Sequence, residues 1–349
     1  MQSPDPLRVC IAFPPLAAPH YLERLRALPG VEPVVLPIDP GGDWLSISPG
    51  DPHAEPPPWA RSVAREREQA LASAHVLIAL HTPDRLSERA PLLRWVQGAG
   101  AGVEQFGRAG LAKDRVVLTN CSGLSSGSMA EWVIGRLLQV WKRLREADEF
   151  QRAHAFERSY GRTFAGSTIG IVGLGHIGRA VAGRARAVGC RVLGLRRTVR
   201  PGDTDPDVDQ LYPTSGLHEM LGLCDAVIVA APATAGTHHL IDAKALAAMP
   251  RRAVLVNVAR GTLLDEVELA RVMKEEPLAA AILDVFDPEP LAPTSPLWDL
   301  PNVYISAHSS VSVDRYMDDV FDLFLDNVKR FRAGEPLRNV VDMKSLGFE

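Results

Sequence analysis

Four side chains in the second half of this chain have the types and spacing to do chemistry together. Arg260 closes Val256-Asn-Val-Ala-Arg-Gly-Thr262. Asp284 and Glu289 lie in Asp284-Val-Phe-Asp-Pro-Glu-Pro290, and His308 ends Ser306-Ala-His308. Each follows a short apolar run, and open α/β sheets bind ligands at the carboxyl ends of their strands. An arginine there wants an anion, and a carboxylate fits its planar fork. A carboxylate beside an imidazole favours the protonated, donating form, which suits Glu289 and His308 to general acid–base work. Taken singly, each has an ordinary reading: Arg260 in a surface ion pair, Glu289 in a solvated turn, His308 as a satisfied core histidine.

Upstream, Thr168-Ile-Gly-Ile-Val runs into Gly173-x-Gly175-x-x-Gly178 and then an Ala- and Arg-rich helix. That order is what a dinucleotide pyrophosphate needs. Gly173 permits the tight turn, Gly175 lets backbone approach the phosphates, and Gly178 lets helix pack on strand. The helix N-terminus then offers N–H groups and a positive dipole end. At the end of the next strand, where an NAD-selective site carries an acid for the ribose 2′-hydroxyl, stand Arg196, Arg197 and Thr198. Two guanidiniums could grip a 2′-phosphate, so NADP(H) is the expected cofactor, with NAD(H) the second choice. A solvated basic loop is the plain alternative.

The elements around these residues alternate strand and helix. In the first third, strands are expected at Arg8–Phe13, Pro33–Leu36, His75–Leu80, Leu93–Val96 and Val116–Leu118, with helices at Tyr21–Leu28 and Arg61–Ser73. The Pro- and Gly-rich Asp39–Trp59 reads as a surface loop. A second set comprises Thr168–Val172, Arg191–Leu195, Ala226–Ala230, Val254–Val258, Ala279–Asp284 and Val303–Ser306, apolar enough for a sheet covered on both faces. Between the sets, Ser128-x-x-Glu131 resembles a capping box. It opens a helix whose stripe is Met129, Trp132, Val133, Val140, Trp141 and Leu144. Asp314–Ala333 is another long helix, stopped by Gly334 with Pro336 beyond. The two long helices could be a hinge pair or two ordinary core helices.

Bulk properties exclude several classes. With 349 residues the chain has room for two cores, and 46% hydrophobic with 23% charged residues is ordinary for a globular protein. A formal net charge of −4 gives no electrostatic case for nucleic acid. No apolar run is long enough for a membrane span, and the polar N-terminus does not read as a signal. Cys10, Cys121, Cys190 and Cys224 form no C-x-x-C pair, so reduced thiols in a cytoplasmic protein are expected. The pair His238 and His239 has no carboxylate or thiol at ligand spacing, so no metal is expected; nearby Thr237 is the better cofactor contact. His53 and His81 read as surface or pocket-edge residues.

In this order after a dinucleotide motif, the segments resemble the NAD(P)-dependent D-2-hydroxyacid dehydrogenase family over roughly residues 92 to 339. The resemblance is carried by Leu93-Arg-Trp-Val-Gln-Gly-Ala-Gly-Ala-Gly-Val103, Asn120 with Met129-Ala-Glu131, the glycine turn, Cys224-Asp-Ala-Val-Ile-Val-Ala-Ala-Pro-Ala-Thr234, and the three stretches bearing Arg260, Glu289 and His308. It implies an α/β protein of two doubly wound parallel-sheet domains with a cleft between them. The flavodoxin-like substrate domain would comprise 1–119 with 310–349, and the Rossmann dinucleotide domain 120–309. It implies that Arg260 binds the substrate carboxylate, His308 protonates the carbonyl oxygen and Glu289 keeps His308 protonated, while Asp284 lies near the nicotinamide. Ala101, Gly102 and Val103 would hold the substrate carboxylate with backbone amides. His176, Ile177, Ala231, Pro232, Val258 and Ala259 would line the cofactor. Cleft closure would exclude water, and family members usually form homodimers through the cofactor domain.

The expected activity is reduction of a small 2-oxo acid, glyoxylate or hydroxypyruvate first, to its 2-hydroxy acid. A short-type 3-phosphoglycerate dehydrogenase and a non-catalytic nucleotide-sensitive scaffold are the alternatives. Formate oxidation is disfavoured, because that branch carries Gln where Glu289 stands. Two departures from the family matter: Ser306-Ala307 replaces Thr-Pro before the histidine, which should loosen that backbone slightly, and the first ninety or so residues match only in pattern.

Overall fold

The computed structural model describes residues 5–36, 58–82, 85–112, 114–200, 202–275, 278–312 and 314–343. It divides into two units, Met1–Leu124 with Val313–Glu349, and Ser125–Ser312. The expected Asp39–Trp59 loop lies almost wholly outside the described residues.

The first unit begins with β1 (Leu7–Ala12), α1 (Pro19–Arg26), β2 (Val31–Val35), α2 (Pro58–Ala72), β3 (Val76–Ala79), α3 (Leu86–Arg89), β4 (Trp95–Gly98) and β5 (Val117–Thr119). Its five strands are all parallel, in the order β2-β1-β3-β4-β5, the flavodoxin-like arrangement. The central strands β1, β3 and β4 are buried over most of their length, as a sheet covered on both faces requires, while the edge strand β2 is only partly buried.

The second unit follows with α4 (Ser126–Trp141), α5 (Leu144–Arg152), β6 (Thr168–Val172), α6 (His176–Ala187), β7 (Arg191–Leu195), β8 (Gln210–Tyr212), α7 (Leu217–Gly222), β9 (Ala226–Val229), α8 (Ala243–Ala248), β10 (Val254–Asn257), α9 (Glu266–Glu275), β11 (Ala280–Leu283) and β12 (Val303–Ile305). The chain then returns to the first unit as α10 (Tyr316–Ala333), which ends at Gly334 in the left-handed conformation. There Phe321 and Phe324 are buried, and the Trp95 and Phe324 rings lie 5.4 Å apart.

Seven parallel strands form the second sheet, in the order β12-β11-β10-β9-β6-β7-β8. Strand order reverses between β6 and β9, so the topological switch point sits beside the glycine turn that follows β6. Asp225 ties these two strands at their start: its carboxylate accepts from Thr168 N–H at 2.9 Å and pairs with Arg162 and Arg252.

Three expectations need correction. Strand β8 does not appear among the apolar runs, because it has three residues at a sheet edge behind a Pro- and Asp-rich loop. The capping box at Ser128 does not form: Ser125 is the N-cap, and Ser128 lies inside the first turn, its hydroxyl donating to Ser125 O. Leu144 leaves the apolar stripe, since α4 ends at Trp141 and Leu144 is exposed on α5. The rest of the stripe packs on α6, with Met129, Val133 and Trp141 in one cluster with Val181 and Ala185.

Candidate active site

Two glycines of the turn after β6 have steric reasons within the protein. Gly173 has φ of +102°, and a Cβ there would come within 2.6 Å of Ala231 Cα. At Gly178 a Cβ would overlap Gly173 O and sit 2.9 Å from Ile171 Cγ2, so helix could not pack on strand. Gly175 differs: nothing of the protein lies within 4 Å of a Cβ there. That open space stands over the start of α6, a helix with no side-chain cap, whose first N–H groups include those of His176 and Ile177. A pyrophosphate fits this cradle in shape and charge.

Beyond β7 the two arginines differ. Arg196 is turned onto its own loop, donating to Thr198 O at 2.9 Å and to Asp203 at 2.7 Å. Arg197 is exposed and makes no ion pair among the described residues. Asp205, almost fully buried, fixes the loop by a two-point bond with Arg179 in the first turns of α6, which also pairs with Asp207. The Arg179 hydrogen bonds hold the Asp205 carboxyl below its usual range. On the β9 side, Ala231 and Pro232 lead into a short turn. There the Thr237 hydroxyl accepts from Thr234 N–H at 2.8 Å and bonds Pro232 O. Thr237 thus shapes the loop that carries Ala231 and Pro232.

The segment after β10 is stapled by Asn257. Its fully buried side chain accepts from Ala259 N–H at 3.1 Å and donates to Arg260 O at 3.0 Å. Val258 and Ala259 are buried in this turn, and Arg260 leaves it half-buried, with Nη1 donating to Ala259 O. Sequence reasoning matched Asn257 to a motif but gave it no role. An Asn accepting from the amide two residues on was the available signal.

Asp284 is fully buried and both its oxygens are engaged. They accept from Ser306 Oγ at 2.6 Å, Ser309 N–H at 2.9 Å and Ser310 N–H at 3.2 Å. Its own carbonyl accepts from His308 N–H at 2.8 Å. His308 therefore sits at the apex of a clamped loop, with φ of +48°. Where Ser306-Ala307 departs from Thr-Pro, Asp284 bonds the chain on both sides of the histidine.

His308 Nδ1 lies 3.0 Å from Glu289 Oε2, while Glu289 Oε1 accepts from Phe286 N–H at 3.1 Å. The pair is open to solvent, with His308 50% and Glu289 39% exposed. Arg260 reaches the same region through its neighbour: a Cβ on Gly261 would overlap the Phe286 carbonyl, so the two segments touch backbone to backbone. Glu266, unmarked by any motif, accepts from Asp287 N–H at 2.9 Å. Burial, with the Asp287 and Glu289 carboxylates adding to it, pushes its carboxyl up to about 7.

Ala101, Gly102 and Val103 belong to the first unit, in the loop after β4. Asn120 Nδ2 donates to Ala101 O at 2.8 Å, and Cys121 N–H to Gly100 O, fixing that loop. His238 and His239 stack at 4.0 Å, and His239 faces Asp265 at 3.8 Å. Among the described residues, no cluster of three or more His, Cys, Asp or Glu is set to hold a metal, and no helix is long and apolar enough to cross a membrane.

Comparison with known proteins accords with this geometry. Residues 134–310 match the model of the D-isomer specific 2-hydroxyacid dehydrogenase NAD binding domain. A glyoxylate reductase of Thermococcus gammatolerans is 32% identical, the match covering 82% of this chain and 89% of that one. A D-isomer specific 2-hydroxyacid dehydrogenase family protein from Aeromonas salmonicida superposes with a TM-score of 0.78 at 30% identity, covering 97% of this chain and 99% of its own. An NADPH-dependent glyoxylate/hydroxypyruvate reductase from Sinorhizobium meliloti, crystallised with NADP and sulfate, has a TM-score of 0.75 at 27% identity, covering 98% and 99%. Two doubly wound parallel sheets, a dinucleotide turn at the switch point and the matched sequences lead to one conclusion: the chain belongs to the D-isomer-specific 2-hydroxyacid dehydrogenase family of NAD(P)-dependent oxidoreductases.

Proposed function

We propose that the protein reduces glyoxylate or hydroxypyruvate to the corresponding 2-hydroxy acid with NADPH. The reading rests on the 3.0 Å approach of His308 to Glu289 beside the Arg260 segment. The dinucleotide, when bound at the glycine turn, supplies the hydride to the substrate carbonyl carbon. Arg260 binds the substrate carboxylate with its planar fork and draws electron density from the adjacent carbonyl. His308, with Nδ1 turned to Glu289, gives the proton on Nε2 to the carbonyl oxygen, completing the hydroxyl. Glu289 holds the imidazole through Nδ1, so that Nε2 is the nitrogen left to face the substrate. The solvent-open pair then recovers its proton from water.

Preference for NADPH is supported by Arg197 and by Arg196-Arg197-Thr198 standing at the immediate end of β7 in place of an acid, and the Sinorhizobium relative was crystallised with NADP. Backbone amides at Ala101, Gly102 and Val103 are proposed as the second grip on the substrate carboxylate. A homodimer through the dinucleotide unit is also proposed. Phe156 is 99% and Tyr160 78% exposed in the stretch after α5, aromatic surface that a second copy would cover. A cytoplasmic setting suits the four free, buried cysteines.

Side-by-side NADPH and NADH assays with glyoxylate, hydroxypyruvate, pyruvate and bulkier 2-oxo acids test the reading. NADPH with glyoxylate or hydroxypyruvate should give the highest kcat/KM. Oxidation of neither cofactor by any of these acids would refute it.

A further inference from the structure

We propose that Glu266 is a positioning residue for the reaction, holding the loop that presents Glu289 to His308. This rests on the acid–base pairing proposed above. Successive amides of the loop after β11 are taken by two different glutamates: Phe286 N–H by Glu289 and Asp287 N–H by Glu266. The Phe286–Asp287 peptide is also the one against which Gly261 packs. Glu266 follows Gly261 by a single turn of chain and opens α9. One peptide plane is therefore gripped from the Arg260 segment by packing and by a hydrogen bond. Its orientation sets where Glu289 points, and Glu289 sets the imidazole. Without Glu266, the Asp287 amide would lose its protein acceptor and the loop one of its two anchors.

The same carboxyl carries a second consequence. Three carboxyl groups crowd this corner, those of Glu266, Asp287 and Glu289, and across from Glu289 stands His308. On its own segment Glu266 is flanked by Asp265, which faces His239, and by Glu268, which pairs with Arg271. Burial keeps Glu266 largely neutral below about pH 7, so it does not compete with Glu289 for the imidazolium there. Above that it ionises and adds a second negative charge near the pair.

The experiment compares wild type, Glu266→Gln and Glu266→Ala by hydrogen exchange across 284–290 and by kcat/KM against pH with glyoxylate and NADPH. Alanine should raise exchange at the Asp287 amide and lower kcat about tenfold, the worth of one lost hydrogen bond, with NADPH affinity unchanged. Glutamine keeps an acceptor and should restore protection and kcat at pH 6. Lacking the charge, it should move the alkaline limb of the profile down by about half a unit. Wild-type exchange and an unchanged pH profile in the alanine variant would overturn the proposal. So would a loss of activity matched by an equal loss of NADPH-binding protein. The exchange arm does not depend on turnover: wild type inactive with every 2-oxo acid, yet with alanine-dependent exchange, would sink the proposed reaction and leave the positioning contact standing.

Discussion

Gly261 lies against the Phe286 carbonyl with no room for a side chain, and that contact joins the arginine segment to the glutamate loop. Two β-strands carry these segments, and neither strand alone fixes the distance between Arg260 and Glu289. The backbone-to-backbone approach after their ends does.

Gly261→Ala should therefore harm the site more than the fold. Overpacking by one methyl costs about 1–3 kcal/mol. The displaced Arg260 and Glu289 should lower kcat/KM about a hundredfold, as expected for misplacement on the ångström scale. Thermal unfolding and steady-state kinetics of the variant measure the two effects. A wild-type kcat/KM would show that the contact does not set the site.

Asp284→Ala should release the His308 loop. It strips acceptors from the Ser309 and Ser310 amides and from the Ser306 hydroxyl, at a cost of about 3 kcal/mol. Denaturant unfolding gives the stability loss. Turnover should fall with it, because this clamp and Glu289 hold His308. Ser306→Ala, removing one of the three bonds, should cost about 1 kcal/mol.

The two arginines after β7 should separate. Arg196 is committed to Thr198 and Asp203, whereas Arg197 stands open. Arg197→Ala is expected to raise KM for NADPH at least about tenfold and leave NADH unaltered. Arg196→Ala should do less. Equal losses for both cofactors would show that neither arginine reads the 2′-phosphate.

Glu266 also makes stability depend on pH. Its carboxyl titrates at about 7 in the fold, above the ordinary value of 4.5 that the unfolded chain retains. Between those values the folded state holds a proton that the unfolded state has lost, so stability falls as pH rises from about 4.5 to 7 and is level beyond. Glu266→Gln should flatten that slope. Relative to wild type it should gain on the order of 1 kcal/mol above pH 7, the half-exposed site being screened by solvent. Unfolding free energies at pH 5 and pH 8 provide the check.

What the sequence disclosed followed from how local each signal was. The glycine turn is readable because Gly173, Gly175 and Gly178 each answer a separate constraint within one strand–turn–helix. The buried strands are readable because both faces are covered and the runs are unbroken. Strand β8 is hidden because three edge residues bury too little to leave a pattern. The Ser128 box misleads because the helix begins two residues earlier, at Ser126, and spends that hydroxyl on Ser125. Glu266 and the Asp284 clamp could not be read at all. Their partners, Asp287 and the serines after His308, are distant in sequence and meet only when β10, β11 and β12 align. Arg196 looked equivalent to Arg197 until Asp203 folded back on it.

The most direct measurement is of His308→Ala, comparing kcat with glyoxylate and NADPH against the Kd for NADPH. With His308 as the acid, kcat should fall about a thousandfold while Kd stays within about twofold of wild type. A variant that keeps wild-type kcat would contradict the assignment of His308, and with it the acid–base pairing on which the proposed reaction depends.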